Sequence, residues 1–92
     1  MKSYTYPAIF VKDEDNQEYK VFFPDLQITT DGRFLEEAYL YAKASLKAYF
    51  VYVEKYDLDY NLPTSFDEVK STSPSGSQVL LVDADVYKKD LK

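Results

Sequence analysis

The sequence predicts an α+β domain: a three-stranded antiparallel meander, a long helix, a short helix and a final strand. Three short segments rich in β-branched and aromatic residues fill the first 30 positions, with polar turns between them. Apolar residues then recur at steps of three and four between positions 34 and 56, which is the period of a helix. Since 92 residues suffice for one domain, the whole chain, 1–92, is expected to fold as a single β-β-β-α-(α)-β unit.

The first strand is predicted over residues 4–11. A proline has no amide hydrogen for a sheet ladder, so Pro7 predicts that this strand lies at a sheet edge or carries a bulge. Side chains alternate between the two faces of a strand. One face carries Tyr4, Tyr6, Ala8 and Phe10, and the other carries Thr5, Pro7, Ile9 and Val11.

The next two strands are short. The polar segment 12–18 predicts a hairpin loop, and residues 18–23 form the second strand. The pair Pro24-Asp25 ends that strand, because proline lacks an amide hydrogen and aspartate favours turns. A third strand is predicted over 27–30 and ends at the turn pair Asp31-Gly32.

The long helix is predicted over 34–56 and would measure about 34 Å. Glu36 and Glu37 lie in its first turn, where the helix dipole favours anions. A second row beside the main apolar stripe is less certain to be buried and consists of Tyr41, Ser45, Ala48 and Tyr52. The stripe expected to face the sheet consists of Leu35, Ala38, Ala42, Leu46, Tyr49, Val53 and Tyr56.

The remainder of the chain returns to the sheet. Ser65 with Glu68 has the spacing of a helix cap, so a short helix is expected over 66–70. A flexible loop is expected over about 71–77, and a polar tail over about 84–92. The continuous apolar run of the strand 78–82 predicts burial on both faces, hence a central position in the sheet. This strand could pair with the first, and a parallel pairing would require a right-handed crossover.

Composition excludes several functional classes. The chain has no Cys and no His, which removes disulfides, thiolate metal sites, the usual general base and Ser–His or Cys–His nucleophiles. No apolar run is long enough to span a membrane and no signal peptide is visible, so a cytoplasmic protein is expected. The net charge of −5 makes nucleic acid a poor partner and a basic protein a better one.

The most charged segment is the acidic hairpin, defined here as Asp13, Glu14, Asp15 and Glu18. A calcium loop that begins at Asp13 would need Gly at its sixth position and Glu at its twelfth. These positions hold Glu18 and Pro24, so the calcium motif fails. The segment is expected to be a solvated hairpin tip that could contact a basic partner, and Asp25 is a further candidate contact.

The order of strands and helix also invites comparison with ribonuclease-H-type nucleases, which hold two metal ions with carboxylates at the centre of the sheet. The predicted first strand contains no acid. The other acids lie near the ends of elements, at Asp25, Asp31, Glu36, Glu37, Asp83 and Asp85. No metal, cofactor or catalytic residue is therefore expected, and the protein is predicted not to be an enzyme.

Four stretches, in this order and spacing, resemble the HicB family of bacterial antitoxins. The first, 4–10, includes Tyr6 and Pro7, and the second, 19–26, ends in Phe23-Pro24-Asp25-Leu26. The third, 31–38, contains Gly32 and then Leu35-Glu36-Glu37-Ala38, which resembles the start of the family's helix. The fourth is Leu62-Pro63-Thr64-Ser65, so that the resemblance covers residues 4–66.

The resemblance implies a partial ribonuclease-H-like fold without nuclease chemistry. It also implies that the chain neutralises a small, basic, mRNA-cleaving HicA-type toxin by binding it, and that it self-associates, with a dimer favoured. Two alternatives stay open. One is a solitary, oligomeric scaffold or regulator without a toxin, and the other is a metal-dependent ribonuclease.

Two departures from the family pattern limit what the resemblance implies. Phe34 occupies a position where the family has Ser or Thr, so Asp31 or a backbone arrangement would have to cap the helix. Many family members continue into a DNA-binding domain, whereas this sequence stops at Lys92. Direct DNA binding is therefore not expected of this chain, which would be either a naturally short protein or one domain of a longer one.

Overall fold

The computed structural model describes residues 1–92 and has the predicted order of elements. It confirms an α+β fold with a four-stranded antiparallel sheet, one long helix and one short helix. The elements are β1 (Lys2–Asp13), β2 (Glu18–Phe23), β3 (Ile28–Gly32), α1 (Leu35–Tyr56), α2 (Phe66–Thr72), β4 (Gln78–Val86) and a 3₁₀ turn (Lys88–Leu91).

The strand order is β3-β2-β1-β4, so β1 lies between β2 and β4. β1 pairs with β4 from Lys2 to Phe10 and with β2 from Ile9 to Asp13. The predicted pairing of the first and last strands is therefore confirmed. It is antiparallel, and the parallel crossover considered from the sequence does not occur.

The environment of Pro7 differs from the prediction. β1 is an inner strand, and its register with β4 runs without a break, so neither an edge strand nor a bulge is present. Pairing with β2 begins only at Ile9, however, so Pro7 has a strand neighbour on one side only. The first half of β1 pairs only with β4, so a residue without an amide hydrogen can be accommodated there.

The position predicted for the final strand is wrong. β4 is an edge strand, and its second face is not fully covered, since Leu81 is 51% exposed. It also continues to Val86, beyond the predicted end at position 82, and Ala84 and Val86 are buried. Asp83 and Asp85 alternate with these two residues, so a regular two-residue period continues through sequence that looks like a polar tail.

The core lies between the sheet and α1. Ala38, Ala42, Leu46 and Val53 of the predicted stripe are buried, whereas Tyr56 at the end of the helix is 56% exposed. Phe50 is fully buried although it was not assigned to the stripe. Its ring stacks on Tyr4 at a centroid distance of 3.8 Å and lies 5.4 Å from Tyr6. The faces assigned to β1 are confirmed, since the core cluster includes Tyr4, Tyr6, Ala8 and Phe10.

Small residues bring α1 close to the end of β3. A Cβ atom on Gly32 would lie 2.4 Å from the backbone nitrogen of Ala38 and 2.6 Å from its Cα. Such contacts are far inside van der Waals range, so only glycine fits at this position. Gly32 and Ala38, both buried, thus fix where the helix starts relative to the sheet.

The ends of the helices are stabilised in different ways. Phe34 occupies the N-cap of α1 and its side chain makes no capping hydrogen bond. Asp31 does not replace it. Instead, Glu37 Oε1 accepts a hydrogen bond from the Arg33 backbone nitrogen at 3.1 Å, and Glu37 Oε2 pairs with the Arg33 guanidinium at 2.9 Å. In α2 the predicted cap is present, since Glu68 N donates to Ser65 Oγ at 3.2 Å.

The short helix α2 lies away from the main core. It contacts β4 and β1, and its Val69 is buried but is not part of the core cluster under α1. Pro7, whose side chain points away from α1, is buried as well. We infer that α2 covers this part of the second sheet face and leaves Leu81 beside it exposed.

Candidate protein-binding surfaces

The acidic hairpin is a tight turn between β1 and β2. Asp13 accepts hydrogen bonds from the Asn16 backbone nitrogen at 3.3 Å and from Asn16 Nδ2 at 2.8 Å. These bonds lower the pKa of the Asp13 carboxyl. Gln17 Nε2 also donates to the carbonyl of Glu14 at 2.7 Å, which closes the turn around a positive φ of 53° at Gln17. The hairpin is therefore held in one shape by its own side chains.

Lysines partly neutralise this hairpin. Glu18 pairs with Lys20 at 2.8 Å, and Glu14 approaches Lys12 at 3.9 Å. The contact with Glu18 raises the pKa of Lys20. Asp15 forms no ion pair and is exposed. With four acids and two lysines, the segment 12–20 carries a net charge of −2.

Asp25 is not part of this acidic surface. It follows β2 at the end opposite the hairpin, and a six-residue strand of about 20 Å separates the two. Asp25 accepts hydrogen bonds from Thr64 N at 3.0 Å and from Thr64 Oγ1 at 2.5 Å, and its carbonyl accepts one from Asn61 Nδ2 at 2.9 Å. The structure thus places Asp25 in a clasp that holds the chain after α1.

The segment after α1, residues 57–63, is here called the exit segment. The sequence indicated only a polar connection, but the structure shows large exposed apolar side chains in and next to it. These are Tyr52 and Tyr56 on the last turns of α1, and Leu58, Tyr60 and Leu62 in the segment itself. Its alternation of leucine or tyrosine with aspartate or asparagine from Leu58 to Leu62 was the signal in the sequence.

The exit segment is anchored although it has no regular structure. Tyr6 Oη donates to the carbonyl of Asn61 at 2.7 Å, and the ring of Tyr60 packs edge-on against Phe50 at 5.1 Å. Burial raises the pKa of the Tyr6 hydroxyl to about 12, with nearby Tyr60 as the next cause. Asp57 and Asp59 form no ion pairs. The tyrosines exposed on this anchored surface are of a residue type that is enriched in protein-binding hot spots.

The buried tyrosine hydroxyls serve the fold. Tyr4 Oη donates to Glu54 Oε2 at 2.7 Å, and burial together with that carboxylate raises the pKa of Tyr4. No buried side-chain nitrogen or oxygen lacks a hydrogen-bond partner.

The structure contains no group of three or more acidic, histidine or cysteine side chains able to hold a metal ion. None of the helices is long and apolar enough to cross a membrane.

These features define a small acidic α+β domain that exposes tyrosine and leucine side chains beside acids that form no ion pair. No family model and no curated protein matches the sequence. The fold, however, is similar to solved antitoxin structures. A chain of a toxin–antitoxin complex from Streptococcus pneumoniae superposes with a TM-score of 0.76 and is 25% identical, over 91% of this chain and 70% of that one.

Two further structures share the fold. The N-terminal domain of the antitoxin HicB from Burkholderia pseudomallei gives a TM-score of 0.75 at 19% identity, covering 89% of this chain and 99% of that domain. The Burkholderia pseudomallei antitoxin HicB itself gives 0.77 at 21% identity, covering 97% of this chain and 67% of that protein. The chain therefore has a HicB-like antitoxin fold, as the sequence motifs indicated.

The motif residues mostly build this fold. Tyr6, Pro7, Phe23, Leu26, Gly32 and Ala38 are buried, and Pro24, Asp25, Leu35 and Glu37 are half-buried. Of the set only Glu36 is exposed. The motif residues thus stabilise the packing of the strands and the helix, and they do not indicate which surface binds a partner.

Proposed function

We propose that this chain is an antitoxin-like protein that binds and neutralises a small, basic, mRNA-cleaving HicA-type toxin without catalysis of its own. The similarity to a chain of a toxin–antitoxin complex, at 25% identity over 91% of this chain, is the observation that supports this most strongly. The proposed protein acts in the cytoplasm and needs no cofactor. This chain alone would not bind DNA directly.

Charge supports a basic partner. The net charge of −5 favours association with a cationic surface, and two separate regions carry acids free of ion pairs. One is the acidic hairpin with Asp15, and the other is the exit segment with Asp57 and Asp59. Of these two regions, the exit segment is the one that combines such acids with exposed tyrosine and leucine side chains. We therefore propose that it contributes most of the affinity and that the hairpin steers the encounter.

Co-expression with any small basic protein encoded beside the gene tests the proposal. A stoichiometric complex should purify, and growth arrested by the basic protein alone should resume when this chain is present. The association rate should fall as the salt concentration rises, because salt ions screen the electrostatic attraction between the acidic surface and a basic partner. Absence of a complex at micromolar concentrations would contradict the proposal.

Charge-matched variants separate the two regions. Asp13→Asn, Glu14→Gln and Asp15→Asn together remove three negative charges from the hairpin, and an unchanged association rate would show that the hairpin has no steering role. The control removes the same charge elsewhere, on side chains that the structure exposes, with Glu36→Gln, Asp67→Asn and Glu68→Gln. We expect the hairpin variant to associate several-fold more slowly than the control.

Truncation of exposed apolar side chains tests the exit segment. Tyr56 and Leu62 are 56% and 76% exposed, so replacing each with alanine should leave the fold intact. If they are hot-spot contacts, each substitution should weaken toxin binding by about 2 kcal/mol, seen mainly as faster dissociation. Full affinity in both variants would exclude the segment from the interface.

A second candidate is a solitary HicB-like domain that works as an oligomeric scaffold or regulator. The unpaired edge of β4, next to exposed Leu40 and Leu81, is the observation that favours it. The two candidate functions differ in whether they require a small basic partner protein. The scaffold would act in cells that encode no small basic partner, whereas the antitoxin would have no activity there. A metal-dependent cleavage assay on RNA tests the remaining alternative, and we expect no cleavage.

A further inference from the structure

An open pocket of about 230 Å³ lies between the turn after β2 and the exit segment, and it is here called the acidic pocket. Pockets that enclose whole small molecules usually measure about 300–1,000 Å³, so this one suits a single side chain. It contains two acids and no lysine or arginine. Apart from the buried Leu26, its lining consists of Asp25, Gln27, Tyr49, Asp59, Tyr60 and Asn61.

Hydrogen bonds hold the two walls of the acidic pocket together. The Asp25 carbonyl accepts one from Asn61 Nδ2 at 2.9 Å, and the Asp25 carboxylate accepts two from Thr64. The turn after β2 is closed by the backbone nitrogen of Gln27, which donates to the carbonyl of Phe23 at 3.0 Å. The pocket is therefore formed before a guest arrives, and little loss of conformational entropy opposes binding.

The acidic pocket offers hydrogen-bond acceptors that have no partner in the chain. Asp59 is exposed and forms no ion pair. Gln27 and Asn61 each donate from the amide nitrogen to a backbone carbonyl, at 3.1 and 2.9 Å, which leaves each amide oxygen free to accept. Together with the negative charge of Asp25, these oxygens favour a cation that carries several N–H donors.

The two tyrosine rings of the acidic pocket have no cation from the chain over them. Elsewhere lysine or arginine side chains lie 5.6–6.0 Å from the ring centroids of Phe34, Tyr56, Phe66 and Tyr87. No such contact involves Tyr49 or Tyr60. The guanidinium of arginine is planar and stacks on aromatic rings, whereas the ammonium of lysine is a compact, strongly hydrated charge. The rings therefore favour arginine over lysine.

A second pocket on Tyr60 provides a contrast. It measures about 350 Å³ and is lined by Lys2 and Leu62 among others, with no acid. Its lysine repels a cation. The charge that attracts a basic guest therefore lies on the side of Tyr60 that faces the turn after β2.

We propose that the acidic pocket receives one arginine side chain of the basic partner protein. The guanidinium pairs with the Asp59 carboxylate, donates to the amide oxygens of Gln27 and Asn61, and stacks on a tyrosine ring. The identity of the partner rests on the proposed function, whereas the preference for arginine rests on the residues of the pocket. The exit segment then contributes a specific polar contact beside its exposed leucine and tyrosine side chains.

Titration of the ¹⁵N-labelled full chain with N-acetyl-arginine amide, followed by NMR at constant ionic strength, tests the proposal without the partner protein. We expect a Kd on the order of 1–10 mM. N-acetyl-lysine amide should bind about threefold more weakly, and N-acetyl-citrulline amide, which has nearly the shape of arginine without its charge, should not bind. Saturable shifts are expected at the backbone amides of Gln27, Asp59, Tyr60 and Asn61.

A pair of charge-matched variants locates the binding. Asp59→Asn removes an exposed carboxylate without an ion pair, so it should leave the fold intact and weaken arginine binding about two- to fivefold. The control Asp67→Asn removes another exposed, unpaired carboxylate, on α2, and should leave the Kd unchanged. No saturation at about 50 mM N-acetyl-arginine amide would overturn the proposal. So would equal binding of the lysine or citrulline compound, or equal effects of the two variants.

The complex with a basic partner separates this proposal from the proposed function. In such a complex Asp59→Asn should speed dissociation and Asp67→Asn should not. A complex that dissociates at the same rate with and without the Asp59 carboxylate would overturn the pocket as a contact. If the chain binds N-acetyl-arginine amide in the pocket but binds no basic toxin, the proposed function fails and the preference of the pocket for arginine stands.

Discussion

Adding one methyl group at Gly32 should destabilise this domain far more than the same addition at its only other glycine, Gly76. The new Cβ at Gly32 would lie 2.4 Å from the backbone nitrogen of Ala38 and 3.0 Å from the Ala38 Cβ. Relief of this overlap requires α1 to move away from β3 by about 1 Å, since close contacts in protein interiors are about 3.5 Å or longer. That movement would loosen the buried contacts at the start of the helix.

The size of the destabilisation by Gly32→Ala follows from the rigidity of the contact between Gly32 and the backbone at Ala38. Overpacking of a core costs about 1–3 kcal/mol, and a clash with helix backbone falls at the upper end because no side chain can rotate away. For a domain of this size, about 3 kcal/mol lowers the Tm by roughly 12–24 °C. Gly76 has a φ of +83° and nothing within 4 Å of an added Cβ, so Gly76→Ala meets only backbone strain of about 1 kcal/mol.

Thermal and urea unfolding, followed by circular dichroism, measure the difference directly. The account predicts that Gly32→Ala unfolds well below Gly76→Ala, with the wild-type chain above both. If Gly32→Ala were as stable as Gly76→Ala, the close packing of α1 on β3 would be refuted.

Three further predictions concern the core and the clasp. Phe50→Ala should lower the free energy of unfolding by about 3–5 kcal/mol, because a fully buried ring that stacks on Tyr4 is lost; a loss below about 1 kcal/mol in urea unfolding would contradict this core. The pKa of Tyr6 is raised to about 12 from 10.0, so the stability that its protonated hydroxyl contributes is complete below pH 10 and is lost as pH rises towards 12. Tyr6→Phe should therefore lose less Tm than the wild-type chain over this pH range. An identical dependence of Tm on pH in the two proteins would argue against the buried hydroxyl. Asp25→Ala should destabilise the domain by about 1–3 kcal/mol and speed hydrogen exchange at the Thr64 amide, which would lose its acceptor; an unchanged exchange rate would contradict the clasp.

Local signals in the sequence predicted most of the fold. The two-residue period of β1 identified Tyr4, Tyr6, Ala8 and Phe10 as one face, and all four are buried. The helical period placed α1 within one residue of its observed start, and the spacing of Ser65 and Glu68 identified the cap of α2. These features depend on neighbours along the chain, which is why the sequence alone suffices for them.

The main error, the position of β4 in the sheet, concerns contacts between distant residues. Strand order depends on which edges meet in space, so the apolar composition of β4 could not distinguish an inner strand from an edge strand. Phe50 lies four residues after Leu46 and three before Val53, so the helical period allowed it as readily as Tyr49, which was assigned to the stripe instead. The alternation of Ala84 and Val86 with Asp83 and Asp85 was interpreted as a tail, although its period continued the strand.

The candidate surfaces were predicted less completely than the fold. The acidic hairpin lies where the sequence placed it, but the lysines that pair with Glu14 and Glu18 reduce its charge. Asp25 was grouped with these acids by charge alone, and the structure places it in the clasp with Thr64. The exposed tyrosines of the exit segment became apparent only when anchoring through Tyr6 and Asn61 showed that the segment is ordered.

Inhibition of a HicA-type toxin by this chain is the most direct test of the proposed function. A HicA-type protein, such as any small basic protein encoded beside the gene, would be incubated with RNA, with and without the purified chain, and cleavage followed over time. The account predicts that cleavage stops at a stoichiometric amount of the chain, and that Tyr56→Ala and Leu62→Ala weaken this inhibition. Undiminished cleavage in the presence of excess folded chain would contradict it.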